Sequence, residues 1–317
     1  MEGANRHLAV GILNAMLVWI PHGKGRRYLG DLPSDVTVET FTGESFPSDP
    51  AGVDFWVPPF LAGKDVPNIL KRMPGLRVIQ LLSAGADVWV GRTPDGVTLC
   101  DARGTHTAVT TEWTVAAVLS SLRRFDTFIR RQERHVWKPQ LTPTVTRKNA
   151  LIVGAGDIGE HVARTLETLD VSITKVARRA RPGVHSIDHI DELLPQADVV
   201  ILNVPLTDAT RHLADADFLA RMKDGALLVN AARGPVVDTD ALVEEVKTGR
   251  LRAALDVTDP EPLPEGHPLW DLDGVIITPH VGGSTDDLVE REYVRVGDQI
   301  RRYAEGEPLI NIVTGDY

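Results

Sequence analysis

Short apolar runs recur along this chain, divided by turn residues and by longer stretches whose apolar positions fall at helical spacing. In the first third the runs cover residues 16–20, 36–41, 53–57, 77–82 and 97–100. A long helix is predicted over residues 106–134, with Trp113, Ala116, Ala117 and Leu119 on its apolar side and Arg123, Arg124, Arg130 and Arg131 toward solvent. Pro139 and Pro143 punctuate the chain before the next strand, which ends at Val153. Further strands fit residues 171–176, 199–204, 226–230, 253–257 and 275–278, and a last helix fits 286–305. Strands alternating with helices in this way predict an α/β fold of βα units around parallel sheets. No sequence repeat or low-complexity tract interrupts the pattern.

The mostly apolar run over residues 8–20 stands behind Arg6 and superficially resembles a signal peptide. It lacks a small-x-small cleavage site and is too short to cross a bilayer. Its second half, Met16-Leu17-Val18-Trp19-Ile20 before Pro21-His22-Gly23, reads as a first buried strand with its turn. Residues 1–14 are then an extension of no evident purpose.

The strand ending at Val153 runs into Gly154-Ala155-Gly156-Asp157-Ile158-Gly159, which opens an amphipathic helix. Between a strand and a helix, this spacing is the fingerprint of a dinucleotide site, an ordinary glycine turn being the alternative. Gly154 permits the tight turn, Gly156 lets backbone approach a pyrophosphate, and Gly159 lets helix and strand pack closely, while the helix N-terminus offers N–H groups to the phosphates. An NAD-preferring protein usually ends its next strand in Asp or Glu, which accepts hydrogen bonds from the ribose 2′-hydroxyl. Here that strand ends in Ala177-Arg178-Arg179-Ala180-Arg181. No carboxylate repels a 2′-phosphate there, and guanidinium groups are available to hold one, so Arg178 and Arg179 predict a preference for NADP(H), with NAD(H) possible. A merely solvated basic loop is the competing reading.

Composition narrows the class. A chain of 317 residues suits two domains of ordinary size, and 43% hydrophobic with 25% charged residues is a globular profile. The formal charge of −10 argues against generic binding to nucleic acid or anionic membrane. Cys100 is the only cysteine, which excludes an intrachain disulfide and suits a reducing cytoplasm. At the end of an apolar run it reads as a small buried residue rather than a nucleophile. The ten histidines form no ligand-like cluster, so no metal is expected.

Reactive side chains gather in the second half, each just after a strand, where ligands of open α/β sheets bind. Leu227-Leu228-Val229-Asn230 is followed by Ala231-Ala232-Arg233-Gly234-Pro235. Ala254-Leu255-Asp256-Val257 runs into Thr258-Asp259-Pro260-Glu261-Pro262. Ile276-Ile277-Thr278-Pro279-His280 leads to Val281-Gly282-Gly283-Ser284-Thr285. Taken singly, Arg233 reads equally as a structural ion pair, Glu261 as a solvated charge and His280 as a turn residue; together, after a cofactor motif, they read as a site.

These segments, with Asn203-Val204-Pro205-Leu206-Thr207, resemble the D-isomer-specific 2-hydroxyacid dehydrogenase family over nearly the whole chain. The resemblance implies two Rossmann-like domains with parallel sheets. Residues 1–105 and 285–317 would form a flavodoxin-like substrate domain, and residues 106–284 the NAD(P)-binding domain. It also implies that Arg233, Glu261 and His280 carry catalysis. Arg233 would bind the substrate carboxylate and polarise the adjoining ketone, and His280 would give a proton to the carbonyl oxygen. Glu261, hydrogen-bonded to the other ring nitrogen, would orient the imidazole and favour its protonated form by charge attraction. Cofactor contacts are implied for Gly154, Gly156, Asp157, Ile158 and Gly159, and further along for Val204, Pro205, Ala231, Asp256 and Gly282. Asp256 would lie near the nicotinamide carboxamide, although it equally suits capping of local backbone groups. In the loop Ser83-Ala84-Gly85, backbone N–H groups would receive the substrate carboxylate, as a nest binds an anion without a side chain; a plain tight turn is the alternative.

Within the family, formate dehydrogenases carry glutamine where Glu261 stands, and phosphite dehydrogenases carry lysine where Ala84 stands. The arginines after Ala177 instead resemble the NADPH-preferring glyoxylate and hydroxypyruvate reductases. The expected activity is reduction of a small 2-ketoacid to the D-2-hydroxyacid, or the reverse, by a homodimer built on the 106–134 helix. In several such enzymes a neighbouring subunit's tryptophan closes the pocket; Trp137 is a candidate here, packing at a helix end being the plain alternative. A nucleotide-sensing corepressor or scaffold on the same fold is the competing function, for which the chain carries no long disordered tail or added module.

Overall fold

The computed structural model describes residues 15–60 and 66–314, so the N-terminal extension over 1–14 lies outside the described residues. Contacts divide the chain into one unit that runs to Ala102 and resumes at Val289, and a second that spans Arg103–Leu288.

In the first unit, strands β1 (Met16–Ile20), β2 (Val36–Thr40), β3 (Val53–Trp56), β4 (Val78–Gln80) and β5 (Thr98–Cys100) form one sheet. A short helix, α1 (Val66–Leu70), precedes β4. The sheet is wholly parallel in the order β2-β1-β3-β4-β5, the doubly wound order of flavodoxin-like folds. Its apolar runs are nearly continuous because both faces are covered. Cys100 is buried in β5.

The second unit opens with α2 (Thr107–Leu122) and α3 (Phe125–Glu133), then β6 (Asn149–Val153), α4 (Asp157–Glu167), β7 (Ser172–Ala177) and a two-residue β8 (His185–Ser186). There follow α5 (Ile190–Leu193), β9 (Val199–Leu202), α6 (Ala216–Arg221), β10 (Leu227–Asn230), α7 (Thr239–Lys247), β11 (Arg252–Leu255) and β12 (Val275–Ile277). All seven strands are parallel in the order β12-β11-β10-β9-β6-β7-β8, so the chain reverses direction across the sheet between β6 and β9. Side chains alternate between two cores, as the two-residue period of a strand requires. Leu151, Val153, Val200, Leu202 and Leu228 pack with Phe218, Leu219 and Leu242 on one face. Ile152, Val199, Ile201, Leu227 and Val229 pack with Val118, Leu122, Val162 and Leu166 on the other. Each such aliphatic side chain contributes about 1.5–3 kcal/mol by leaving water.

One predicted element divides. The helix expected over 106–134 breaks at Arg124, whose φ of 59° is left-handed. The break turns α3 onto the loop before β12: the Asp126 carboxylate accepts from the Gly274 N–H at 3.3 Å, and Arg130 donates to Asp273 at 3.0 Å. The expected apolar side of α2 also needs correction. Ala117, Val118 and Leu122 are buried, but so are Thr107, Thr110, Thr111, Thr114 and Ser121, and Ala116 is exposed. The Thr114 hydroxyl is satisfied locally, donating to the Thr110 carbonyl at 2.8 Å, so a polar position on this helix is compatible with burial.

Helix α8 (Leu288–Ala304) returns the chain to the first unit, where Tyr293, Val296 and Ile300 enter the core beside Val18, Phe55 and Val78. Glu292, next to Tyr293, is only 5% exposed. Burial pushes its carboxyl up to about 7, against the opposing pull of the Arg291 and Lys24 charges. Because the folded state holds this proton more tightly than the unfolded chain, stability falls as pH rises from about 4.5 toward 7. The variant Glu292→Gln is expected to gain on the parent over that window, by about 2–3 kcal/mol at neutral pH. Urea unfolding at pH 4.5 and 7.5 checks this; an unchanged difference between the two proteins at both pH values would sink it.

Candidate active site

The glycine loop leaves β6 beside the point where the sheet reverses, and its geometry follows from close backbone packing. Gly154 has φ +109°, and a Cβ there would lie 2.2 Å from the Asn203 carbonyl oxygen at the end of β9. At Gly156, by contrast, a Cβ would meet nothing within 4 Å, so this turn of backbone borders open space at the start of α4. A Cβ on Gly159 would fall 2.0 Å from the Gly154 carbonyl oxygen, so the absence of a side chain is what lets the helix sit this close to the loop. Asp157 begins the helix and accepts from the Thr107 hydroxyl, and Ile158 is half-buried behind it.

The basic segment at the end of β7 divides in two. Arg178 and Arg179 are exposed and make no ion pair among the described residues. Arg181 instead reaches across to donate to the Ala155 carbonyl within the glycine loop. Its guanidinium therefore borders the glycine-loop backbone, a placement that sequence spacing alone did not give. After β9, Val204 is half-buried and Pro205 exposed, and the Asn203 amide nitrogen is buried without a hydrogen-bond partner among the described residues. An open glycine cradle, an orphaned amide donor and solvent-facing guanidinium groups together fit a nicotinamide dinucleotide.

Arg233 leaves β10 on a loop secured by Asn230, a residue only 1% exposed. The Asn230 side chain accepts from the Ala232 N–H at 3.0 Å and donates to the Arg233 carbonyl at 2.9 Å, so the backbone is clamped on both sides of the guanidinium. Ala231 beside it is half-buried. Gly234 allows this loop to lie against the next one: a Cβ there would fall 1.9 Å from the Thr258 carbonyl oxygen. Thr258 opens the loop that carries Glu261 away from β11. Glu261 in turn meets His280 from the exit of β12, its Oε1 2.7 Å from the imidazole Nδ1.

The segment bearing His280 is fastened to Asp256, which is 4% exposed. The Asp256 carboxylate accepts from the Thr278 hydroxyl at 2.6 Å and from the Val281 and Gly282 N–H groups, each at 2.8 Å. Its carbonyl accepts from the His280 N–H at 2.7 Å. Asp256 thus does cap local backbone, and of the roughly four acceptor directions of a carboxylate these contacts use three. His280 itself has a left-handed φ of 54°.

Within this unit the structure brings Glu261 and His280 into contact and sets the Arg233 loop against the Glu261 loop, all at the carboxyl ends of adjacent strands. The glycine loop and the arginines leave the same edge of the sheet from β6 and β7. Asn230, Thr258 and Thr278 support the site without having been singled out from sequence. Their only signal was a polar residue ending an apolar strand. In the first unit, Ser83, Ala84 and Gly85 are half-buried in the turn after β4, where the Ser83 hydroxyl donates to the Gly85 carbonyl at 2.7 Å. Trp137 is 96% exposed beyond α3.

The chain is similar to known proteins in both sequence and fold. Residues 115–282 match the profile described as D-isomer specific 2-hydroxyacid dehydrogenase, NAD binding domain. The chain is 36% identical over 239 residues to a glyoxylate reductase of Thermofilum pendens, covering 71% of this chain and 70% of that one. It is 32% identical over 259 residues to the D-3-phosphoglycerate dehydrogenase of Methanocaldococcus jannaschii, covering 78% of this chain and 49% of the relative. It therefore spans about half the length of some of the curated relatives it matches. Among solved structures, the NADPH-dependent glyoxylate/hydroxypyruvate reductase of Sinorhizobium meliloti, in complex with NADP and sulfate, superposes with a TM-score of 0.81 at 27% identity, covering 95% of this chain and 98% of that one. With two parallel α/β sheets, a glycine loop at the reversal point and a profile match across most of the second unit, the chain belongs to the D-isomer specific 2-hydroxyacid dehydrogenase family.

Proposed function

We propose that this protein reduces a small 2-ketoacid such as glyoxylate or hydroxypyruvate to the D-2-hydroxyacid with NADPH, or catalyses the reverse reaction. The contact that carries the proposal is the 2.7 Å pairing of His280 with Glu261 at a strand exit. Held by Glu261 at Nδ1, the imidazole presents Nε2 as the nitrogen that exchanges a proton with a carbonyl oxygen. The planar fork of Arg233 suits a carboxylate and draws electron density from the ketone beside it. Bound reduced nicotinamide supplies the hydride. Gly154, Gly156 and Gly159, with Asp157 and Ile158, would hold its phosphates at the α4 N-terminus. Val204, Pro205, Ala231 and Gly282 would line its remainder, and the last acceptor direction of Asp256 would take a carboxamide N–H. As a separate assignment, Ser83, Ala84 and Gly85 would bind a carboxylate through backbone N–H groups.

The substrate range is tested with a panel of glyoxylate, hydroxypyruvate, pyruvate and 3-phosphohydroxypyruvate, each assayed with NADPH and NADH in parallel. The last ketoacid addresses the phosphoglycerate dehydrogenase relatives. No turnover across the panel alongside tight dinucleotide binding would favour a sensor instead.

Cofactor choice follows from the end of β7. Arg178→Ala is expected to raise the KM for NADPH by about one to two decades, since a charge-assisted contact with the 2′-phosphate contributes roughly 1.5–3 kcal/mol. NADH lacks that phosphate, so its KM should hardly move. Exposure of Arg178 makes loss of folding a poor explanation of such a difference. Ala177→Asp should turn preference further toward NADH. Equal use of both cofactors by the parent protein overturns this assignment.

The apolar surface beyond α3 supports a homodimer. The buried face of α2 packs within its own unit, against α4 and β10–β12, leaving α3 and the segment after it exposed. Phe125, Ile129, Val136, Trp137 and Leu141 lie there, the last two 96% and 98% exposed. Large apolar side chains left this exposed gain by burial between copies. Sedimentation at assay concentration should give a dimer, and Trp137→Ser with Leu141→Ser should weaken it. A monomer in the parent protein refutes the assignment. The buried single cysteine supports a reducing cytoplasmic location.

A further inference from the structure

The Thr278 hydroxyl lies between two partners, the Trp113 indole at 3.0 Å and the Asp256 carboxylate at 2.6 Å. An indole N–H can only donate, so the hydroxyl accepts from Trp113, and its single hydrogen is left for Asp256. The direction of the chain of bonds is therefore forced, from α2 through Thr278 to Asp256. Asp256 in turn holds the N–H groups of His280, Val281 and Gly282. There is no slack at its far end: a Cβ on Gly282 would lie 2.8 Å from the Asp256 carboxylate and 3.5 Å from the Trp113 ring.

His280 needs such a clamp. A non-glycine residue at φ 54° persists only where its surroundings hold it there, and relaxation toward ordinary backbone geometry would swing the imidazole away from Glu261. Building on the reading that His280 is the proton donor, we propose that Trp113 and Thr278 are positioning residues, acting through Asp256 to hold the His280 loop in its proton-transfer geometry. Neither residue needs to touch the reacting atoms. Their effect reaches the chemistry through the orientation of one ring.

The test measures kcat for glyoxylate reduction at saturating NADPH, together with the NADPH Kd from fluorescence titration. Thr278→Val, which keeps shape and removes the hydroxyl, should lower kcat by about tenfold, and Trp113→Phe by about fivefold, with Kd within about twofold of the parent. Thr278→Ser restores the hydroxyl and should bring kcat back to within about threefold. Because the proposed relay changes kcat through the imidazole, Thr278→Val should cost nothing further in a His280→Ala background, whereas general damage to the site, the cofactor contacts of Asp256 included, would lower the residual rate again. Parental kcat in both Thr278→Val and Trp113→Phe, failure of serine to restore it, or an equal loss in the His280→Ala background overturns the relay. Near-parental turnover of His280→Ala itself removes the reading beneath it, an outcome separable from a normal Thr278→Val beside an inactive His280→Ala.

Discussion

Replacing His280 with alanine is expected to lower kcat for 2-ketoacid reduction by about 10²–10⁴, the usual contribution of a positioned proton donor. The glycine loop and the arginines after β7 lie on other strands, so dinucleotide Kd should stay near the parent value. Loss of turnover with retained binding is the pattern of an interaction made in the transition state rather than the ground state. Solvent access to the pair, whose side chains are 32% and 43% exposed, means that removal leaves no buried cavity, and melting temperature should change little. Turnover close to the parent would remove His280 from the mechanism.

Arg233→Lys is expected to be nearly as severe, lowering kcat/KM by about 10²–10³ although the charge is kept. Lysine offers a flexible point charge where arginine offers a planar fork, and only the fork can engage a carboxylate and an adjoining carbonyl in fixed geometry. The surroundings are built around the longer side chain. Its Nη1 donates to the Ala232 carbonyl at 2.7 Å, and Asn230 clamps the backbone around it, so an ammonium group cannot recover the lost contacts by small adjustment. Both kcat and KM should suffer, because the proposed binding and polarisation share one group. A change of less than threefold in each would show that Arg233 serves only the fold.

What could be read from sequence was what local chemistry dictates. The parallel strands appear as apolar runs because both faces of each sheet are covered, whereas their order across each sheet was implied only by the family resemblance. Arg233, Glu261 and His280 could be singled out because reactive side chains stood immediately after such runs. The break at Arg124 was not legible: no Gly or Pro marks it, and apolar spacing continues through it. It depends on Asp126 and Arg130 finding the loop before β12, partners 148 and 143 residues away. Strand β8 was missed because two residues carry no period. Arg181 looked like its two neighbours until the turn of the chain aimed it at Ala155. Thr278 was invisible as a support because a threonine before Pro-His signals nothing about a tryptophan 165 residues earlier.

The left-handed backbone at His280 has a bearing on protein engineering. A non-glycine residue in that conformation costs roughly 1–2 kcal/mol, part of which glycine recovers despite its greater freedom when unfolded. Arg147 and Asp170 share the conformation in surface turns, with φ of 62° and 58°, and glycine there is a step toward a heat-resistant variant. At His280 the same exchange deletes the imidazole that Glu261 holds. A selection for thermostability alone would drift toward loss of the His280–Glu261 pair at this position, so any such campaign must screen for turnover at every round.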